Sequence, residues 1–322
     1  MSAYEFPLLI KYLLLSPLRQ KARKEIVYRD LVRYDYPTLH DRIGRLGSTL
    51  SQLGVRPGDT VAVMDWDSHR YLEAYFAVPM LGAVLHTVNI RLAPEQVLYT
   101  LNHAEGEVVL CNTEFLPLLQ ALRDRLTSAK KFICITDQPG ESEDFAWDGD
   151  YETMLAAGNP AHEFPDFDEN TRATIFYTTG TTGLPKGVFF THRQLVLHTL
   201  AVLVEVGLRR DDVYMPITPM FHVHAWGFPY AATTAGLKQV YPAAMRPILS
   251  LHSTGTKALR SRTASRRSCR CSFRLPLQRP PTLRDGASTS AVVHYPKRSV
   301  KRRLSAASTS WAATACRRPA PC

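Results

Sequence analysis

Residues 177–188 read YTTGTTGLPKGV, and their types and spacing suit phosphate chemistry. Gly180, Gly183 and Gly187 can take backbone angles closed to other residues, so a loop there can bring its N–H groups close to an anion. Thr178, Thr179, Thr181 and Thr182 add hydroxyl donors, and Lys186 adds a point charge that matches phosphate oxygens. The stretch is not a P-loop of the usual kind. Lys186 is followed by Gly187 where a Ser or Thr would bind magnesium, and the next residues read as a strand. The plainer reading is a glycine-rich turn between strands at 172–177 and 188–191, although such a turn needs only one or two glycines and no lysine.

A second stretch, PMFHVHAWG at 219–227, carries two histidines. His222 and His224 stand two apart, as on one face of an apolar strand, where packed and hydrogen-bonded core histidines are ordinary. The pair has no evident carboxylate or thiol nearby to complete a metal site.

The elements that must hold these stretches follow from periodicity. In residues 37–53 the apolar positions Leu39, Ile43, Leu46, Leu50 and Leu53 share one helical face. A Pro-Gly turn precedes the strand TVAVMD, and Ser68 caps a helix through Tyr71, Leu72, Tyr75 and Phe76. The alternation repeats: strand VLHTVN, a helix opened by Pro94, strand VVLC, a helix near 115–126, then strand FICIT. Strand, helix, strand in this order predicts an α/β fold, a parallel sheet with helices on its faces. Residues 137–171 lack a clear period and read as a long surface connection. The most apolar helix, 195–206, reads as a core helix, too short to span a membrane. A strand at 213–215 and a short one near 239–241 end the pattern.

With 322 residues and 45% hydrophobic content, the chain can bury a large core. Its net charge of +10 is unevenly placed: residues 246–322 hold 17 basic groups and one acid, Asp285, whereas residues 1–245 hold 22 basic groups and 28 acids. The part expected to fold is therefore net acidic, which leaves nucleic-acid binding there without electrostatic support. Cys111 and Cys134 lie in apolar strand-like runs and are expected to be buried reduced thiols, which suits a cytoplasmic protein. The apolar run near the N-terminus is interrupted by Lys11, and a secretory signal is not expected.

The stretch 177–188 resembles the signature loop of the adenylate-forming enzymes, the superfamily of acyl-CoA synthetases, firefly luciferase and peptide-synthetase adenylation domains. Thr179 takes the less usual of two accepted residues at its position. Residues 58–92, with Gly82, Asn89 and Arg91, resemble the superfamily's N-terminal core segments, whose work is structural. PMFHVHAWG looks like the segment lining the carboxylate and adenylate pocket. The resemblance implies the α/β layers of the large N-terminal domain over residues 1–245. It implies nucleotide binding by Thr178, Thr179, Gly180, Thr181, Thr182, Gly183 and Lys186, catalytic roles for Lys186 and His222, and substrate contacts from His222 and Trp226. Trp226 stands where the long-chain branch places an aromatic gate on its acyl tunnel. ATP, Mg2+ and coenzyme A would serve a fatty acid of medium or long chain. An aryl-CoA ligase or a luciferase-like enzyme is the alternative. The resemblance leaves room for peripheral contact with a membrane and does not set an oligomeric state.

Further superfamily motifs are not found, namely a Tyr-Gly-x-Thr-Glu segment, a hinge and a C-terminal lysine in Gly-rich surroundings, and the Gly-Asp pairs at Gly58-Asp59 and Gly149-Asp150 stand in the wrong context to hold a ribose. The resemblance stops near 243–246, and the chain is expected to be a truncated form without full activity. Residues 246–322, rich in Arg, Ser, Ala and Pro, read as an unstructured tail. Out-of-frame translation of a GC-rich gene is the favoured origin, because the switch falls inside a domain. The rival is a genuine basic tail on a non-catalytic protein that binds nucleic acid or anionic membrane.

Overall fold

The structure, a computed structural model, describes residues 6–20, 24–138, 145–178 and 183–243. Thr179, Gly180, Thr181, Thr182 and the whole segment 246–322 lie outside the described residues, as do the expectations attached to them.

Seven strands form the main sheet: β3 (Thr60–Met64), β4 (Val84–Thr87), β5 (Gly106–Asn112), β6 (Lys131–Ile135), β7 (Gly149–Asp150), β8 (Arg172–Thr178) and β9 (Lys186–Thr191). Their spatial order is β7-β6-β5-β3-β4-β8-β9, all parallel except the antiparallel pair β8/β9. Alternate residues of β3 feed two cores, as the pleat requires. Val61 and Val63 face the larger cluster, which contains α2 (Tyr36–Gln52) and α3 (His69–Met80); Ala62 and Met64 face α4 (Pro94–His103) and α5 (Leu116–Leu122). Helices on both faces of a largely parallel sheet are the expected α/β layers.

A second, four-stranded sheet was not foreseen as a separate unit. It has the order β10-β11-β1-β2, from β10 (Val213–Tyr214), β11 (Lys238–Tyr241), β1 (Glu25–Tyr28) and β2 (Val32–Asp35). Its parallel pair β1/β11 joins residues more than two hundred positions apart, a pairing that no local period reveals. Packing against both sheets leaves all twelve residues of α3 buried.

Residues 137–171 are not a plain surface connection. They contain β7 and α6 (Tyr151–Ala157), whose start is capped by the Asp150 carboxylate accepting from Thr153 N–H. Tyr151 and Leu155 are buried, so two side chains rather than a long periodic run make this helix. The helix α7 (His192–Val206) is likewise not a core helix throughout. It opens on a capping box between Thr191 and Gln194 and buries Leu195, Val196 and Val202, but Leu197, Leu200 and Val204 face outward, Val204 at 82% exposure. A high apolar content cannot distinguish one buried face from two.

A buried charge network ties the sheets together. Arg42 of α2 grips Glu73 of α3 and Glu152 of α6, and Arg70 of α3 grips Glu152 and Asp137. Burial alone would raise the Glu152 pKa, yet the His69 hydrogen bond and the Arg42 and Arg70 charges outweigh it and hold the group below its ordinary 4.5. Asp137 is depressed below 3.8 in the same way, burial being overcome by bonds from Arg70 and Tyr28. A carboxylate with a depressed folded pKa contributes stability above its unfolded value and loses it as pH falls. The contribution of Glu152 and Asp137 to the urea midpoint should therefore be constant from neutrality down to roughly pH 5 and fall below it. Replacing Glu152 by Gln should flatten that acid limb.

Candidate functional site

Strand order alone assembles the site. The sheet reverses at β3, whose neighbours β4 and β5 lie on opposite sides, and ligands of open α/β sheets bind beyond the carboxyl ends of the strands near such a reversal. Beyond β3 stand Asp65 and Asp67, beyond β4 stand Asn89 and Arg91, and beyond β8 begins the glycine-threonine stretch.

In that stretch Thr178 pairs in register with Lys186 across the β8/β9 hairpin, and the Thr178 hydroxyl reaches the Lys186 carbonyl at 3.4 Å. Gly183 has φ +120°, a conformation that a side chain would strain, and a Cβ there would meet open space. Glycine is thus required by the backbone angle and not by crowding. Lys186 is exposed and forms no ion pair among the described residues. In β8, the Tyr177 hydroxyl pairs with His103 Nδ1 at 2.8 Å, and Tyr177 packs on His86. Burial, with the His103 charge second, pushes His86 down to about 3, so its ring is neutral. This support from α4 and β4 had no sequence signal, because it is made between elements.

The 219–227 segment is not a strand. Residues Val223, His224, Ala225 and Trp226 all have φ between 46° and 58°, a left-handed turn running into Gly227 at +71°. The two histidines consequently part company. His222 is exposed at its surface, although enough protein surrounds the ring that burial, with the Arg91 charge second, lowers its pKa. His224 is buried against Tyr75, Phe176 and Phe190, and neither ring nitrogen has a hydrogen-bond partner among the described residues. Burial, with His198 second, pushes it to about 3. Trp226 is 40% exposed at the rim of the turn. Among the described residues no group of three His, Cys, Asp or Glu side chains could hold a metal ion.

Contacts with the sheet edge hold the segment down. Asp67 accepts from Met220 N–H at 2.7 Å, the Tyr75 hydroxyl donates to the Met220 carbonyl, and the Thr87 hydroxyl reaches the Phe221 carbonyl at 3.3 Å. The Arg91 guanidinium sits 5.6 Å from the Phe221 ring centroid. The β8/β9 hairpin and the His222–Trp226 turn therefore share one edge, joined through Phe176 of β8 and Phe190 of β9, which both pack on His224.

The sequence pattern of the family described as AMP-binding enzyme matches residues 16–255. This chain belongs to the AMP-binding enzyme family. Among its relatives, a long-chain-fatty-acid–CoA ligase of Thermus thermophilus is 45% identical over 226 residues, covering 68% of this chain and 40% of the relative. A 3-methylmercaptopropionyl-CoA ligase of Ruegeria lacuscaerulensis is 38% identical over 243 residues, covering 73% and 45% respectively. The solved structure of the anthranilate CoA ligase AuaEII with anthranoyl-AMP superposes with a TM-score of 0.68 at 24% identity, over 76% of this chain and 47% of that one. At that identity the likeness shows the fold, which is that of the N-terminal domain of adenylate-forming enzymes. The chain spans less than half the length of these relatives. No helix among the described residues is long and apolar enough to cross a membrane.

Gly227 gives the turn a direct test. A Cβ there would lie 2.7 Å from His198 Nδ1, and φ +71° is strained for any side chain. Gly227→Ala should cost about 1–3 kcal/mol, read as a lowered urea midpoint.

Proposed function

We propose that this chain carries the phosphate and acyl side of an AMP-forming fatty acyl-CoA ligase and, by itself, does not complete the reaction. The observation that supports this most directly is the common sheet edge, where the β8/β9 hairpin with Lys186 and the turn with His222 and Trp226 meet inside a fold of this family.

A carboxylate resists attack by a thiol because an oxide would have to leave. Family members of this kind use ATP: the carboxylate attacks the α-phosphorus, pyrophosphate departs, and AMP becomes the group a thiol displaces. Negative charge gathers on the departing pyrophosphate. Donors already in place stabilise it without the reorganisation water would need. Lys186 supplies a charge there, and Thr178 and the threonines at 179, 181 and 182 supply hydroxyls. Mg2+ would shield the polyphosphate when bound. The described residues offer no protein cluster for it.

On the acyl side, exposed His222 and half-covered Trp226 would contact the acid, with Phe221 and Arg91 behind them. A fatty acid is favoured over an aryl acid by relatives named for long- and medium-chain fatty acids at 45% and 39% identity. The test is pyrophosphate exchange by this chain extended with the C-terminal part of the Thermus relative, across fatty and aromatic acids. Exchange with fatty acids supports the reading. Exchange only with aromatic acids transfers it to an aryl-CoA ligase, and no exchange with any acid rejects it. The unextended chain should form no thioester.

A further inference from the structure

The left-handed turn at 223–226 is costly where it stands. Each L-residue held in that conformation loses about 1–2 kcal/mol relative to its right-handed one, so four in a row survive only if the surroundings hold them. Backbone bonds at the turn run from His222 N–H to the Pro219 carbonyl, from Ala225 N–H to the His222 carbonyl and from Phe228 N–H to the Ala225 carbonyl. A further hold comes from outside, on one peptide. Asp67 takes the Met220 N–H, and Tyr75 gives its hydroxyl to the Met220 carbonyl. Tyr75 also anchors the far side of the turn, since its own carbonyl accepts from the Tyr230 hydroxyl of α8 (Phe228–Ala235) at 3.0 Å. Asp67 is in turn fixed to β11's exit by Ala243 N–H on its carbonyl at 3.0 Å.

We propose that Asp67 is a positioning residue that holds the Met220 peptide and thereby sets the arrangement in which His222 and Trp226 are presented. What that arrangement serves rests on the acyl-ligase reading; the hold itself does not. An asparagine would accept the same hydrogen bond without burying a charge, and Asp67 is only 5% exposed. The charged and titratable groups around it are Asp65 on its own loop, Arg91 after β4, Tyr71 and Tyr75 on α3, and Tyr241 on β11. Burial raises its pKa from 3.8 to about 7, with Asp65 adding to the rise against the Met220 N–H and Arg91. Near neutrality the hold is thus shared between a charged and a neutral acceptor, the charged one being the stronger.

The sign for stability follows. Below 3.8 the group is protonated in folded and unfolded chains alike; between 3.8 and about 7 only the unfolded chain ionises, so stability falls as pH rises through that window. Asp67→Asn should therefore raise Tm above pH 7 and leave it unchanged below 3.8.

The deciding experiment labels the full chain with 5-fluorotryptophan and follows the Trp226 resonance, assigned with Trp226→Phe, as pH is varied. No nucleotide or acid is present, so the outcome is independent of whether the chain is a ligase. The Trp226 resonance should titrate with a midpoint near 7, and the titration should persist in His222→Ala and vanish in Asp67→Asn. Asp67→Ala should shift or broaden Trp226 while Trp147, on the opposite side of the main sheet, stays in place. Titration unchanged in Asp67→Asn, or lost in His222→Ala alone, overturns the proposal. If Asp67→Ala does not fold, the comparison of wild type with Asp67→Asn still decides.

Discussion

Glu73→Ala is expected to lower the stability of this protein by about 3–5 kcal/mol, the usual cost of removing one partner from a buried ion pair. The Glu73 side chain is fully buried, and both its oxygens are satisfied twice. Arg42 bonds to both oxygens at 2.6 and 3.2 Å, and the Tyr34 and Tyr151 hydroxyls donate to one each at 2.7 Å. Truncation leaves Arg42 with Glu152 as its remaining partner, takes the acceptor from the half-buried Tyr34 hydroxyl and leaves the buried Tyr151 hydroxyl only the Arg70 carbonyl at 3.5 Å. Tyr34 belongs to β2 and Tyr151 to α6, so the loss also loosens the four-stranded sheet from the helices of the larger one. A domain holds about 5–15 kcal/mol in total, so the variant should be expressed largely insoluble or melt well below wild type. Glu73→Gln keeps one acceptor oxygen but replaces the other with an NH2 donor and removes the charge that Arg42 pairs with, so its stability should fall between those of wild type and Glu73→Ala. Equal urea midpoints for wild type and Glu73→Ala would show that the network is not what joins the sheets.

Lys186→Ala is expected to weaken pyrophosphate and ATP binding by roughly 10- to 100-fold, from the loss of a charge-assisted contact of about 1.5–3 kcal/mol. Isothermal titration of the chain with pyrophosphate, at two salt concentrations, measures it. Lys186 is exposed and lies at the first position of the edge strand β9, so its removal should leave the melting temperature within error of wild type. Lys186→Arg should retain most of the affinity, because charge is kept even though the point-like geometry is not. Binding that survives Lys186→Ala unchanged would place the polyphosphate elsewhere and remove the main support for the proposed function.

Much of this protein was legible before folding. The amphipathic spacing in 37–53, the Ser68 cap, Pro94 and the apolar runs of β3 to β6 each carry their own local cause, and each element formed where that cause lies. The chemistry of the loop was legible too, because glycine, threonine and lysine act through properties each residue has by itself. Left out were the contacts made across the fold. The second sheet depends on β1 meeting β11, α6 on a cap and two buried side chains, and the outer face of α7 on what packs against it.

What the sequence by itself determined is the kind of chemistry available and the layered α/β class, since both follow from residue type and short periods. Only the tertiary structure decided how that chemistry is arranged. It sent His222 outward and His224 into the core by winding 223–226 left-handed, against the local preference of all four residues. It also put Asp67 under Met220, 153 positions away. A conformation that local energetics disfavours can persist only through distant contacts, and those contacts exist only after the chain has closed on itself.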